Sequence, residues 1–274
     1  MYQKPSVPRS IGGVLDDTIQ LYKASFSRCW PPMVLMSLAA LCLAVYKLQQ
    51  MPALAAGSGM QALLAQYVAS TPGYTFASLV VQLFVFFIYC MLVVIITAVS
   101  QGRDPTFGES FRATLRRFPA AFGSALIAGI YAGLAFILLI IPGIYVLNRL
   151  QLSIIPALTE SIRPGESVGI SWRLVGGNWW RAATLAFVMI VMVYILGLLL
   201  IILVGAAAVA IMGAPNGIAQ GISKFAMVGV VGTAIVTVFT RPLMVAVIVA
   251  MYQDLQLRKG GGDLETRLGA LPKG

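Results

Sequence analysis

The chain has no histidine among its 274 residues, and only nine acidic side chains against nineteen Lys and Arg. Without histidine there is no His-based nucleophilic triad, no imidazole general base and no His-ligated metal. The three cysteines, Cys29, Cys42 and Cys90, have no metal-like spacing and no obvious partners. Neither a zinc site nor a disulfide framework is expected from them. Charge of either sign is scarce, at 10% of residues, where a soluble domain carries about a quarter. No Walker pattern or dinucleotide fingerprint occurs, so no cofactor is implied. No carboxylate lies inside an apolar run, and the chain reads as a non-enzyme.

What the chain has is apolar length: 59% of its residues are hydrophobic. All the acidic residues and most of the basic ones fall in four short polar stretches, with long apolar runs between them. This pattern predicts an all-α integral membrane protein, a six-span helical bundle with amphipathic interfacial helices on the cytoplasmic side. The spans are expected at about 32–48, 75–99, 120–141, 144–159, 182–204 and 225–252. Full-length spans meet the minimum of about 17 residues for crossing a hydrocarbon core. The fourth is short, carries Asn148, Arg149, Gln151 and Pro156, and reads either as a span or as a re-entrant or tilted element.

Residues 1–30 are expected to hold a cytoplasmic amphipathic helix, with Ile11, Val14, Leu15, Ile19, Tyr22 and Phe26 at helical spacing. No cleavable signal peptide is expected there. Pro31-Pro32 opens the first span of a single membrane domain, 31–252, and 253–274 is a cytoplasmic tail. The connection 49–74 has room for a short helix near 53–69. Further amphipathic stretches cover 107–118 and 164–181, and Gly177 reads as a break before the fifth span. Turns are expected at Pro142-Gly143 and over 213–217. Gly108-Glu109-Ser110 and Gly165-Glu166-Ser167 share letters. Either three repeats of surface helix plus hairpin or the common look of any helix before a span explains them.

The net charge of +10 has a membrane explanation. Fifteen Lys and Arg fall on one side of the predicted spans, and Lys47 and Lys224 fall on the other. Positive residues mark the cytoplasmic side, so both termini are expected there and no nucleic-acid partner is implied. The remaining two charges, Arg149 and Arg241, lie inside apolar runs. A charge there costs at least about 2.5 kcal/mol and faces the protein interior, water or a partner. With Asn148 and Gln151 they form a candidate anion or lipid site. Equally, they could bond carbonyls exposed by Pro142 and Pro242, or snorkel to a headgroup region.

Trp30, Trp172, Trp179 and Trp180 fall beside the predicted cytoplasmic interface, where aromatic anchors gather. Arg112, Arg116, Arg117 and Arg181 join them as residues facing anionic headgroups. Asp16-Asp17 reads as a solvated face rather than a metal site, because adjacent helix residues point apart.

The run Ser10-Ile-Gly-Gly-Val-Leu-Asp-Asp-Thr-Ile-Gln-Leu-Tyr-Lys23 resembles the start of a bacterial family of inner-membrane proteins. That family includes the membrane domain attached to some glycerophosphoryl diester phosphodiesterases, and stand-alone membrane proteins of unknown function. Ile141–Leu150, Ser171–Arg181 and Asp254–Arg258 also look like its motifs. The resemblance implies a multi-pass protein of the bacterial inner membrane and carries over no catalytic residue. Two functions stay open: a non-enzymatic protein that supports or organises envelope lipid metabolism and binds anionic lipid, or a transporter or lipid translocator with a polar path around Arg149 and Arg241. Membrane lipids, anionic ones above all, are the expected partners, and a membrane-protein partner or a second copy stays open beside them.

The orientation is testable with reporter fusions. Green fluorescent protein fused to the C-terminus should fluoresce, and alkaline phosphatase fused after Met60 should be active. A dark C-terminal fusion with an inactive phosphatase would reverse the topology.

Overall fold

The computed structural model describes residues 5–50, 72–160, 162–213 and 218–269. The expected short helix near 53–69 and most of the turn over 213–217 lie outside them. Among the described residues there are eight helices and no strand. They are α1 (Ile11–Gln50), α2 (Pro72–Ser100), α3 (Phe107–Leu138), α4 (Ile140–Leu150), α5 (Ile154–Thr159), α6 (Pro164–Val175), α7 (Trp179–Met212) and α8 (Ile218–Gly269). Six segments are long and apolar enough to cross a membrane, with α4 and α5 together making the fourth. The protein is therefore an all-α, six-span helical protein with the build of a multi-pass membrane protein.

The helices run further than the sequence pattern suggests. The stretch expected as a separate surface helix before Pro31 is continuous with the first span in α1. Likewise α3 carries 107–118 directly into the third span. Two prolines alone do not end a helix whose neighbours hold it. In α1 the inward stripe is Val14, Asp17, Thr18, Leu21, Ser25 and Cys29, while Ile19 and Trp30 are exposed. The buried hydroxyls are satisfied locally: Thr18 donates to the Val14 carbonyl and Ser25 to that of Leu21, both at 2.8 Å. A solvated face describes Asp16, but Asp17 is buried.

The break between the third and fourth spans comes at Leu139, ahead of Pro142. A proline ring inside a helix clashes with the carbonyl four residues earlier, here Leu138, so the chain leaves helical geometry there. It restarts at Ile140, which puts Pro142 in a first turn that tolerates it. The hairpin is tight: a Cβ on Gly143 would lie 2.4 Å from the Phe136 ring. The tip, Ile137–Ile141, is wholly apolar and exposed.

Contacts divide the chain into two compact units. One comprises Pro31–Ile88 and Leu196–Phe239. Small residues allow close helix approach there: a Cβ on Gly197 would touch Val236, and one on Gly232 would touch Val204 and Ile201, at 3.5–3.6 Å. The other unit comprises Met1–Trp30, Tyr89–Ile195 and Thr240–Gly274. Its core joins Met91, Leu92, Ile95 and Ile96 of α2, Leu152, Ile155 and Leu158 around α5, and Met251 and Leu255 of α8.

One buried carboxylate gathers three distant pieces of this second unit. Asp254 of α8 accepts from the Arg9 amide at 3.0 Å, from Arg181 of α7 at 2.9 Å and from Arg258 at 3.1 Å. The guanidinium groups of Arg181 and Arg258 also donate to the Arg9 carbonyl, at 2.6 and 2.7 Å. The Arg9 side chain pairs with Asp17 at 3.4 Å. By contrast, the Arg28–Asp104 pair is exposed, although the guanidinium holds the Asp104 carboxyl below the ordinary range.

Breaking a buried pair leaves a charge without its partner and is costly; an exposed pair contributes little. Asp254→Asn should therefore lower unfolding stability by about 2 kcal/mol, the partial exposure of the arginines reducing the fully buried figure. Arg28→Gln should leave it nearly unchanged. Melting of the detergent-solubilised protein checks both, and equal stability of Asp254→Asn and wild type would contradict the assignment.

Candidate functional site

The site is built on the broken fourth segment. Pro156 has no amide hydrogen, and its ring opposes the carbonyl of Leu152. The chain turns over 151–153 and separates α4 from α5. The Leu152 carbonyl accepts the Ile155 amide at 3.1 Å, and the other carbonyls around the break, in an apolar setting, need partners of their own. The Ser153 carbonyl receives Ser124 of α3 at 3.1 Å and Ser167 of α6. The Arg149 carbonyl receives Ser171 of α6 at 2.7 Å. Arg117 of α3 donates to the Leu158 and Thr159 carbonyls that end α5. Ser167 and Ser171 fasten α6 across the break, and Ser124 ties α3 to it.

Docking α6 places Trp172 over α4. The Arg149 guanidinium sits 4.4 Å from the Trp172 ring centroid and 5.0 Å from that of Tyr145. Such stacking contributes about 0.5–2 kcal/mol according to exposure. The Arg149 Nε is buried with no hydrogen-bond partner among the described residues. Its neighbours, by contrast, are paired: Gln151 donates to the Asn148 side chain, which donates to the Trp179 carbonyl at 3.2 Å. The Trp179 indole donates to the Tyr145 carbonyl at 3.3 Å and stacks on that ring at 5.6 Å. Trp180 meets Trp179 edge-on and is largely exposed. The turn from α6 into α7 passes through Gly177 at φ +83°, a left-handed conformation that favours glycine.

An apolar groove of about 770 Å³ opens beside this cluster. Ile127 and Tyr131 of α3, Val146 and Leu150 of α4, and Val168 of α6 line it. Gly165 and Gly169 leave its α6 wall bare, since a Cβ on either would meet nothing within 4 Å. Trp172 and Arg173 complete the lining. The groove is thus a hydrophobic slot with a cation and an indole on its wall, a size and make-up typical of small-molecule sites.

The structure therefore brings Arg149, Asn148, Gln151, Trp172 and Trp179 into one cluster. Arg241 of α8 stands apart: it is exposed, and no hydrogen bond or ring contact joins it to Arg149 among the described residues. Trp30, Arg112 and Arg116 are exposed, whereas Arg117 caps α5 and Arg181 serves the Asp254 network. Sequence reasoning placed Asp254 in the cytoplasmic tail, 253–274, and gave it no role. The available signal was its position directly after the apolar run ending Met251-Tyr252-Gln253.

The shared Gly-Glu-Ser letters have a local explanation. Glu109 accepts from the Thr106 amide at 2.9 Å and Glu166 from that of Arg163 at 3.4 Å, so each glutamate caps the start of a helix. Comparison of the chain with protein-family models, curated proteins and solved structures finds no match.

Proposed function

We propose that this protein is a non-enzymatic, multi-pass protein of the bacterial inner membrane that holds an anionic lipid and so supports or organises envelope lipid metabolism. Both termini lie in the cytoplasm in this reading, in keeping with the one-sided distribution of Lys and Arg. The observation that carries the proposal is the groove between α3, α4 and α6. Its apolar lining suits an acyl chain, and Arg173 beside it suits a phosphate. The cluster of Tyr145, Trp172, Trp179 and Trp180 has the make-up of an aromatic interface anchor. The family resemblance points the same way. A transporter with a polar path around Arg149 and Arg241 draws less support, because Arg149 is enclosed by aromatic rings and neither arginine lines the groove.

Filling the slot from inside is the test. Gly169→Leu adds a side chain into open space and replaces a poor helix former, so the fold should be kept or slightly stabilised. Native mass spectrometry in mild detergent should show wild type with retained phospholipid and Gly169→Leu without it. Arg173→Gln should keep lipid but lose the preference for anionic over zwitterionic headgroups. Equal retention by all three proteins would remove the groove as a lipid site.

A further inference from the structure

We infer a second binding site, separate from the apolar groove, that takes a phosphate-ester anion in a polar cavity at the junction of α2, α3 and α5. The cavity has a volume of about 540 Å³, ample for a phosphorylated small molecule or a lipid headgroup. Arg103, Arg116 and Arg117 line it, together with Asp104 and Glu109.

The two carboxylates are already engaged. Asp104 is held by Arg28, including a bond of 2.6 Å, and Glu109 caps α3 by accepting the Thr106 amide. Arg28 neutralises Asp104, whereas Glu109 keeps its charge; three arginines against that one carboxylate still leave the cavity cationic. Arg103 uses one nitrogen on the Gln101 side chain and Arg117 uses one on the end of α5. Both keep further donors, as a guanidinium carries five. Arg116 is exposed and has no ion-pair partner among the described residues. Guanidinium groups match phosphate oxygens geometrically, and such charge-assisted bonds are strong.

A second observation points to a ligand. Thr97 lines the same cavity, and its hydroxyl is buried with no hydrogen-bond partner among the described residues. Leaving a buried hydroxyl unpaired is costly, and an oxygen-rich anion supplies the missing acceptor. The residue is otherwise 7% exposed, at the wall of the cavity. The N-terminal turn of the 32-residue α3 also contributes to the wall, through Glu109 and Ser110, and its dipole favours negative charge.

Two sources share this chemistry, a soluble phosphate ester and a lipid headgroup. The full chain is therefore titrated with inorganic pyrophosphate in a non-ionic detergent by calorimetry. In parallel it is reconstituted in phosphatidylcholine nanodiscs doped with phosphatidylglycerol, and bound lipid is counted. Variants are Arg116→Gln, Thr97→Val and Arg112→Gln, the last being an exposed neighbour that does not line the cavity. Saturable pyrophosphate binding, weakened at least about tenfold by Arg116→Gln and several-fold by Thr97→Val but not by Arg112→Gln, is expected for a soluble ligand. Phosphatidylglycerol enrichment with the same mutational pattern assigns the headgroup instead. Absence of both, or equal loss in Arg112→Gln and Arg116→Gln, overturns the site. Gly169→Leu should leave this binding intact, which separates it from the groove.

Discussion

The structure turns on the need to satisfy polar groups where little water is present, and Asp254 is where that need is most concentrated. A single buried carboxylate holds Arg181 and Arg258 and the backbone of Arg9. The N-terminal segment, the start of α7 and the end of the last span thereby become one assembly. The arginines then turn to the Arg9 carbonyl, so that strand of backbone is gripped through both its amide and its carbonyl. Charges that would be unfavourable singly become a fastener when their donors and acceptors are matched.

The same rule shapes the fourth segment. Its prolines prevent a continuous helix, and carbonyls around the break and at the end of α5 are met by Ser124, Ser167, Ser171 and Arg117. The hydroxyls pull α6 against α4, and that docking creates both the Arg149 cluster and the apolar groove. A break in a helix thus generates the surface on which function is proposed. Neither Pro142 nor Pro156 touches a ligand in this account, yet both determine where the groove lies.

Much of the architecture was legible in the sequence because bilayer-length apolar runs are a strong and local signal. Six helical segments long and apolar enough to cross a membrane cover the six apolar runs. Helix ends were less legible. The continuity of α1 through Pro31-Pro32 and of α3 through Pro119 depends on tertiary packing, which periodicity does not report. The site was legible in part. Arg149 stood out as a charge in an apolar run, but its stacking on Trp172 joins residues from different helices. Asp254, Arg9 and Thr97 gave no comparable signal: each is an ordinary residue type whose meaning comes from partners, or the lack of one, far away in the chain.

The central claim is that the groove between α3, α4 and α6 holds a lipid chain. The most direct measurement is crosslinking in native membranes with a phospholipid whose acyl chain carries a photoactivatable group, followed by peptide mapping. The account predicts adducts concentrated on the peptides bearing Tyr131, Val146 and Val168. Adducts spread evenly over the exposed apolar faces of α7 and the hairpin tip, with none enriched at these three positions, would contradict it.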